Sequence, residues 1–326
     1  MTIGRSLSTL AGMSTLRTYA QLCRLPAVFT AIADIVMGYF VRQTSAEIYE
    51  PWRLVALIVS SCGLYLAGMV LNDIFDREID ARERPNRPIP SGRVPLPKAV
   101  TFAFILIAVG LVASQVAGFK SVLVALILLA NVFLYDGWAK HTPIGPVVMG
   151  GCRFLNVLLG ASVNSFDFTD VFQSSVMIPA AGMWIYVAGV TWFAKKEAEQ
   201  SARGGLVFGL AVVNLGLVVL AAWMAPPMLP VWERVGFWLR FPGDPTRSLA
   251  MLGIIAVVVN RRALAAFSDP RPAMVQSAVR IMLLSIITID ATLTYAALGD
   301  SGVPVAVGVV SLLIPSFLLG RWMTMT

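Results

Sequence analysis

The chain alternates long apolar runs with short polar stretches. A helix needs about 20 apolar residues to cross a bilayer. Runs of that kind fall at residues 24–42, 54–75, 97–117, 121–138, 144–163, 174–194, 204–224, 248–267, 273–297 and 303–320. They predict an all-α polytopic membrane bundle of nine or ten transmembrane helices. The run 248–267 is the most interrupted, because Asn260, Arg261 and Arg262 break it. The longest connection, 225–247, is rich in Trp and Phe and predicts an interfacial amphipathic piece rather than a tail.

Composition agrees with the pattern. The chain is 57% hydrophobic and 13% charged, with a mean hydropathy of +0.77. Such a chain cannot cover itself with polar surface, which excludes a soluble domain and fits a lipid bilayer as partner. The net charge of +7 predicts basic cytoplasmic loops rather than nucleic-acid binding. Of the 25 Lys and Arg residues, 18 fall on one set of alternate loops and 6 on the other, with Arg153 inside a run. That bias predicts a cell-membrane protein with both termini and the acidic loops in the cytoplasm. The first 26 residues lack the clean apolar core and cleavage site of a signal peptide. Cys23, Cys62 and Cys152 are too scattered for a disulfide framework, and the single His141 excludes a multi-histidine metal site.

The densest charge lies at residues 71–94, LNDIFDREIDARERPNRPIPSGRV. On a helix Asn72, Asp76 and Asp80 sit four residues apart and Asp73 falls between them, all within an arc of roughly 100°. Three carboxylates and an amide on one face repel one another unless a cation sits among them. Hard oxygen ligands suit Mg²⁺, which takes one or two carboxylates and completes its shell with water and substrate phosphates. Arg77, Arg82, Arg84, Arg87 and Arg93 follow at once. Acid beside base at a membrane edge points to a Mg²⁺–diphosphate site.

This stretch resembles the first aspartate-rich signature of UbiA-type intramembrane prenyltransferases, NDxxDxxxD followed by NRPxPSG. The resemblance covers roughly residues 17–297. It implies a second acidic patch after the sixth helix, usually DxxD. Here that position reads KKEAEQ: Glu197 stands for the first aspartate, Gln200 for the second, and Lys195 and Lys196 precede them. Glu197 is then a ligand for a second metal, Lys196 touches phosphate, or the lysines replace that metal. The segment from Tyr135 to Pro143, YDGWAKHTP, resembles the family's tyrosine-to-lysine segment. By resemblance Lys140 neutralises diphosphate and Tyr135 steadies an allylic cation through its ring. The tenth helix, the altered second motif, the run 186–194 and the segment 269–280 look like the EboC-like branch.

Polar residues deep in a membrane are costly and mark function or pairing. Arg153 and Asn156 lie one turn apart in GGCRFLNVLLG, and Asp34 and Asp290 sit inside the first and ninth runs. Arg153 lines the cavity for an acceptor or pairs with an acid; its partner is not readable from sequence. Arg24, at the mouth of the first helix, is either a snorkelling anchor or a phosphate contact, and the anchor is favoured.

These features divide the chain into a cytoplasmic segment 1–23, a prenyltransferase-like bundle 24–297 and an extra C-terminal helix 298–326. They predict Mg²⁺-dependent transfer from a prenyl diphosphate to an unidentified acceptor, aromatic or otherwise small and lipophilic. Asn72, Asp73, Asp76, Asp80 and Glu197 are the expected metal set. Arg77, Lys140 and Lys196 are the expected diphosphate contacts, and Asp76, Tyr135 and Lys140 the catalytic group. The altered second motif keeps one alternative open, a prenyl-lipid-binding or transport component that retains the fold without turnover. A cation-coupled transporter fits less well, because these acids sit at helix ends on one side.

Overall fold

The computed structural model describes residues 15–43, 50–164, 176–195, 201–225 and 243–323, and all regular structure among them is helical. Residues 15–22 are helical and lead through a 3-10 turn, Leu25–Ala27, into α1 (Val28–Gln43). Next come α2 (Pro51–Phe75), the short α3 (Arg77–Glu83), α4 (Leu96–Ala117) and α5 (Phe119–Gly137). A 3-10 turn, Ala139–His141, joins α5 to α6 (Gly145–Ala161). The chain continues as α7 (Met177–Ala194), α8 (Arg203–Met224), α9 (Pro245–Ser268) and α10 (Pro272–Leu298). It ends as α11 (Val303–Ser311) and α12 (Leu313–Trp322).

By length and composition, eight stretches among the described residues suffice to cross a membrane. The last of them, Pro272–Trp322, runs 51 residues through the 3-10 turn Gly299–Gly302. Gly145–Ala161 is apolar but shorter. The chain is thus a multi-pass helical membrane protein. The final predicted helix breaks at Leu312 into α11 and α12. Ser316 Oγ of α12 donates to the Pro26 carbonyl at 2.8 Å and ties this end to the start of α1.

Local chemistry explains several boundaries. Pro51, Pro97, Pro245 and Pro272 each occupy the first turn of a helix, where a missing N–H costs nothing. Asp244 caps α9, accepting from the Thr246 N–H at 2.8 Å. The helix expected at 248–267 is present despite the polar residues that interrupt its apolar run: α9 is continuous for 24 residues. Asn260 exchanges hydrogen bonds with Asn214 of α8 at 2.8 and 2.9 Å, and Arg261 and Arg262 are exposed. A paired amide is tolerated in the membrane where a lone one is not. The expected interfacial piece falls mainly on residues 226–242, outside the described residues.

The helices close into a ring. α2 packs on α4, each helix from α4 to α10 packs on the next, α10 returns to α1, and α1 returns to α2. α1 also packs on α6, which places it inside the bundle. The α1–α6 seam is tight because glycine faces backbone on both sides. A Cβ on Gly38 would stand 2.2 Å from the Val157 carbonyl oxygen, and one on Gly160 would stand 2.4 Å from that of Ile35. Small residues let helix backbones approach in this way where no hydrophobic driving force acts between helices.

Candidate active site

The acidic stretch sits where four elements end together: the segment before α1, the end of α2, the end of α5 and the turn before α6. The single helix expected through residues 72–80 is interrupted. α2 stops at Phe75, Asp76 adopts φ −86° and ψ 1°, and α3 resumes at Arg77. The i to i−4 hydrogen bonds survive the break, with Asp76 N–H on Asn72 O at 3.0 Å and Asp80 N–H on Asp76 O at 2.8 Å. Helical phase is therefore kept across a kink.

The kink leaves the acids in two groups. Asp73 and Asp80, both buried, share one guanidinium: Arg87 Nη1 lies 3.3 Å from Asp73 Oδ1 and 2.6 Å from Asp80 Oδ2. Asn72 and Asp76 face α5 and the turn after it. Asn72 Nδ2 donates to Asp136 Oδ1 at 2.9 Å, and Lys140 Nζ lies 2.7 Å from Asp76 Oδ1. Arg24 spans the two groups, donating to Asn72 Oδ1 at 3.2 Å and to Asp73 Oδ1 at 3.3 Å.

The second half of the motif explains itself as the support for Arg87. The segment NRPIPSG folds back as a turn: Ser91 N–H and Ser91 Oγ both donate to the Arg87 carbonyl, at 3.0 and 2.6 Å. Val94 N–H donates to the Pro88 carbonyl at 3.0 Å. Gly92 has φ 72°, in the left-handed region that glycine enters without penalty. Arg93 reaches back to the Asn86 carbonyl and to Gln21. The turn carries Arg87 under α2 and α3 and holds it there.

Arg24 is also held. It has φ 46° and ψ 46°, and it is the one described non-glycine residue with positive φ. That conformation costs about 1–3 kcal/mol and persists only where its surroundings impose it. Here they are Pro26 two residues on and the paired side chains of Asn72 and Asp73. Arg24, expected as an interfacial anchor, is thus part of the acidic site.

Not every expected residue joins it. Arg77 is exposed and donates to its neighbour Glu78 at 2.9 Å, away from the Asp76–Lys140 pair. His141 is largely exposed, with Nε2 3.8 Å from Asp76 Oδ1. Tyr135, half-buried on the last turn of α5, lies within electrostatic reach of Asp76 and Arg24. Lys195 is exposed, its ammonium 5.3 Å from the Trp192 ring centroid. Lys196, Glu197, Glu199 and Gln200 lie outside the described residues. Two contributors had no role assigned from sequence, Asp136 and Arg87. Both stand inside stretches singled out for other residues. Their chemistry was visible, but the fold that aims them was not.

Around this site Asp73, Asp76, Asp80 and Asp136 face three cations, Arg24, Arg87 and Lys140. Among the described residues no three His, Cys, Asp or Glu side chains converge as a ligand cage. Mg²⁺ does not need one, since water and substrate phosphate fill most of its shell. Asp76 and Asn72 fit that role: Asp76 is partly open, and its contact with Lys140 is an ion pair without hydrogen-bond geometry.

Deeper in the bundle lies a second polar group. Arg153 meets Asp34 Oδ2 at 2.7 Å and Thr30 Oγ1 at 2.6 Å. Asn156 Nδ2 donates to Asp34 Oδ2 at 2.9 Å and to the Ala31 carbonyl at 3.0 Å, while Ser61 Oγ donates to Asn156 Oδ1 at 2.7 Å. The partner of Arg153, unreadable from sequence, is Asp34.

A family model described as the UbiA prenyltransferase family matches residues 31–287. The chain is 29% identical over 216 residues to the digeranylgeranylglyceryl phosphate synthase of Sulfurisphaera tokodaii, covering 66% of this chain and 75% of that one. Matches to two further synthases of that name span 57% and 48% of their lengths. Among solved structures, a UbiA homologue from Aeropyrum pernix K1 aligns with TM-score 0.64 at 18% identity, covering 80% of this chain and 96% of the other. A UbiA homologue from Archaeoglobus fulgidus bound to GPP and Mg²⁺ aligns with TM-score 0.52 at 14% identity, covering 85% and 99%. At such identities these two structures speak for the fold.

Proposed function

This chain belongs to the UbiA prenyltransferase family, and we propose on that premise that it transfers a prenyl group from a prenyl diphosphate to a small lipophilic acceptor within the membrane, in a Mg²⁺-dependent reaction. The observation that carries this reading is the gathering of Asn72, Asp73, Asp76, Asp80 and Asp136 with Arg24, Arg87 and Lys140 at one end of the bundle. Similarity to digeranylgeranylglyceryl phosphate synthases supports prenyl transfer. The Archaeoglobus homologue bound to GPP and Mg²⁺ supports the donor class and the metal.

In this reading Asp76 and Asn72 would hold Mg²⁺, with Asp80 and Asp73 behind them on Arg87. Bound there, the metal would neutralise diphosphate charge and stabilise the leaving group. Lys140 draws charge off the diphosphate as the bond from its oxygen to C1 lengthens, acting where charge develops. Arg24 steadies Asn72 and Asp73, so the oxygen ligands keep their aim. The Tyr135 ring lies beside the developing allylic cation. The apolar helices shelter the chain and keep water from that cation. Glu197 and Lys196 supply the second patch. The acidic end faces the cytoplasm, as the Lys and Arg bias argues. The altered second motif aligns the chain with the EboC-like branch.

Labelled geranylgeranyl diphosphate offered to the purified protein, with and without Mg²⁺, tests the reading. Metal-dependent binding followed by pyrophosphate release on addition of lipid extract supports it. Absence of binding in both conditions removes it. The departure at Glu197 and Gln200 favours one second reading, a component that binds prenyl lipid without turnover. Its signature is retained binding with no pyrophosphate released.

A further inference from the structure

We infer that the acceptor end of this site is an electroneutral polar seat, built from Asp34, Arg153, Asn156, Tyr65 and Asp290, that takes an uncharged hydroxyl or carbonyl head and rejects a phosphate or carboxylate. The inference rests on the prenyltransferase reading above and concerns the acceptor.

The hydrogen-bond inventory carries it. Asp34 and Asp290 are both fully buried, at 0% exposure. Asp34 Oδ2 is saturated, with Arg153 and Asn156 both donating to it. Asp34 Oδ1 and both carboxyl oxygens of Asp290 accept from no donor. The α1–α10 seam brings Asp34 and Asp290 together, their neighbours Ala33 and Ala291 packing in one cluster with Ile287, and Arg153 is the guanidinium paired with Asp34 there. A second uncompensated negative charge in the bundle interior is far costlier than a neutral carboxyl. A neutral Asp290 carboxyl, the cheaper form in so dry a place, leaves the set without net charge. It also leaves Asp290 with a free carboxyl oxygen inside the bundle.

Three features connect this set to the diphosphate site. Tyr65 and Asn72 lie seven residues apart on one face of α2, about 10 Å along the axis. The Arg153 guanidinium lies 5.8 Å from the Tyr65 ring centroid, so the polar stripe of α2 meets the buried set there. The Arg153 side chain retains 12% exposure and Tyr65 is half-buried, which gives the set its open side. A head group arriving beyond the prenyl C1 meets Tyr65 and Arg153 first. It finds the arginine's charge already matched by Asp34, with a further carboxyl behind. An anionic head gains no free cation in that place, whereas a hydroxyl or carbonyl finds both a donor and an acceptor.

The test uses the full-length protein in lipid nanodiscs with labelled geranylgeranyl diphosphate and Mg²⁺. It compares two acceptors, a long-chain alkylglycerol and its phosphate ester. The alkylglycerol is expected to be prenylated at least about tenfold faster, a difference of roughly 1.4 kcal/mol. The double variant Asp34→Asn/Asp290→Asn frees the charge of Arg153 and is expected to shift the ratio toward the phosphate ester by about tenfold or more. Labelled diphosphate binding by each protein separates the two levels. A wild type that binds no diphosphate overturns the enzyme reading itself. A wild type that binds it but prefers the phosphate ester, or prenylates neither acceptor, overturns only the neutral seat. So does a double variant that binds diphosphate and keeps the wild-type ratio. Should the double variant fail to fold, the wild-type ratio decides.

Discussion

Lys140 Nζ, on the turn after α5, lies 2.7 Å from Asp76 Oδ1 at the end of α2. The two side chains come from segments separated by two membrane-length helices, and both are largely withdrawn from solvent. An ammonium held so close to the carboxylate proposed to bind Mg²⁺ is poised to exchange that partner for a diphosphate oxygen.

Lys140→Ala is therefore expected to lower kcat for prenyl transfer by about a hundredfold or more, the cost of losing one preorganised charge at a leaving group. Lys140→Arg retains part of the rate. Steady-state pyrophosphate release checks both. A Lys140→Ala enzyme within about twofold of wild type would sink the assigned role.

Arg87 is a stability residue before it is anything else. Its removal strands Asp80, whose side chain is 5% exposed, and leaves Asp73 with Arg24 alone. Breaking a buried pair from one side costs about 3–5 kcal/mol. Arg87→Ala should lower the thermal midpoint in detergent accordingly. Arg87→Lys should fall between, because one ammonium replaces a planar fork poorly.

The positive φ of Arg24 predicts an ordering of variants. Arg24→Ala loses the bonds to Asn72 and Asp73 and keeps the backbone strain. Arg24→Gly loses the same bonds and relieves it. The glycine variant should be more stable by about 1 kcal/mol. Both should bind prenyl diphosphate less well than wild type, read by titration with the labelled donor.

Gly160→Ala places a methyl group 2.4 Å from the Ile35 carbonyl oxygen, and neither helix backbone can yield cheaply. The α1–α6 seam must open, with the Asp34–Arg153 contact lying along it. A loss of about 1–3 kcal/mol in thermal stability is expected. Gly253→Ala meets nothing within 4 Å and should be neutral or slightly stabilising.

Cys23 reports on the same end of the molecule. Burial, and then the neighbouring carboxylate of Asp73, push its thiol up to about 12. It stays protonated near neutral pH, so maleimide labelling should be slow there and should rise only toward strongly alkaline pH or on unfolding. Rapid labelling of native protein at pH 7 would contradict the burial described for this end.

Much of the fold was legible, for a reason particular to membranes. Backbone polar groups in lipid must be satisfied within the segment, so each long apolar run from 54–75 to 273–297 had to be a helix. The division of the last run into α11 and α12 at Leu312 is a change of local hydrogen bonding, which hydropathy does not record. The interruption at Asn260 was read as weakness. Its partner, Asn214, lies on another helix, where no local pattern points to it.

The acidic stretch showed what chemistry was available but not how it is shared. One helical arc placed Asn72, Asp73, Asp76 and Asp80 together, and the kink at Asp76 divided them between Arg87 and Lys140. Arg77, adjacent in sequence, turned out to pair with Glu78, while Arg24, 48 residues before Asn72, reached it.

The sequence alone determined that the chain is a helical membrane protein of the UbiA kind, since hydrophobic length and motif spacing are properties of the linear chain. Only the tertiary structure decided which cation serves which carboxylate, Arg153 meeting Asp34 and Lys140 meeting Asp76. Electrostatic partnership depends on distances across helices, and those are set by how closely glycine-lined seams allow the backbones to approach.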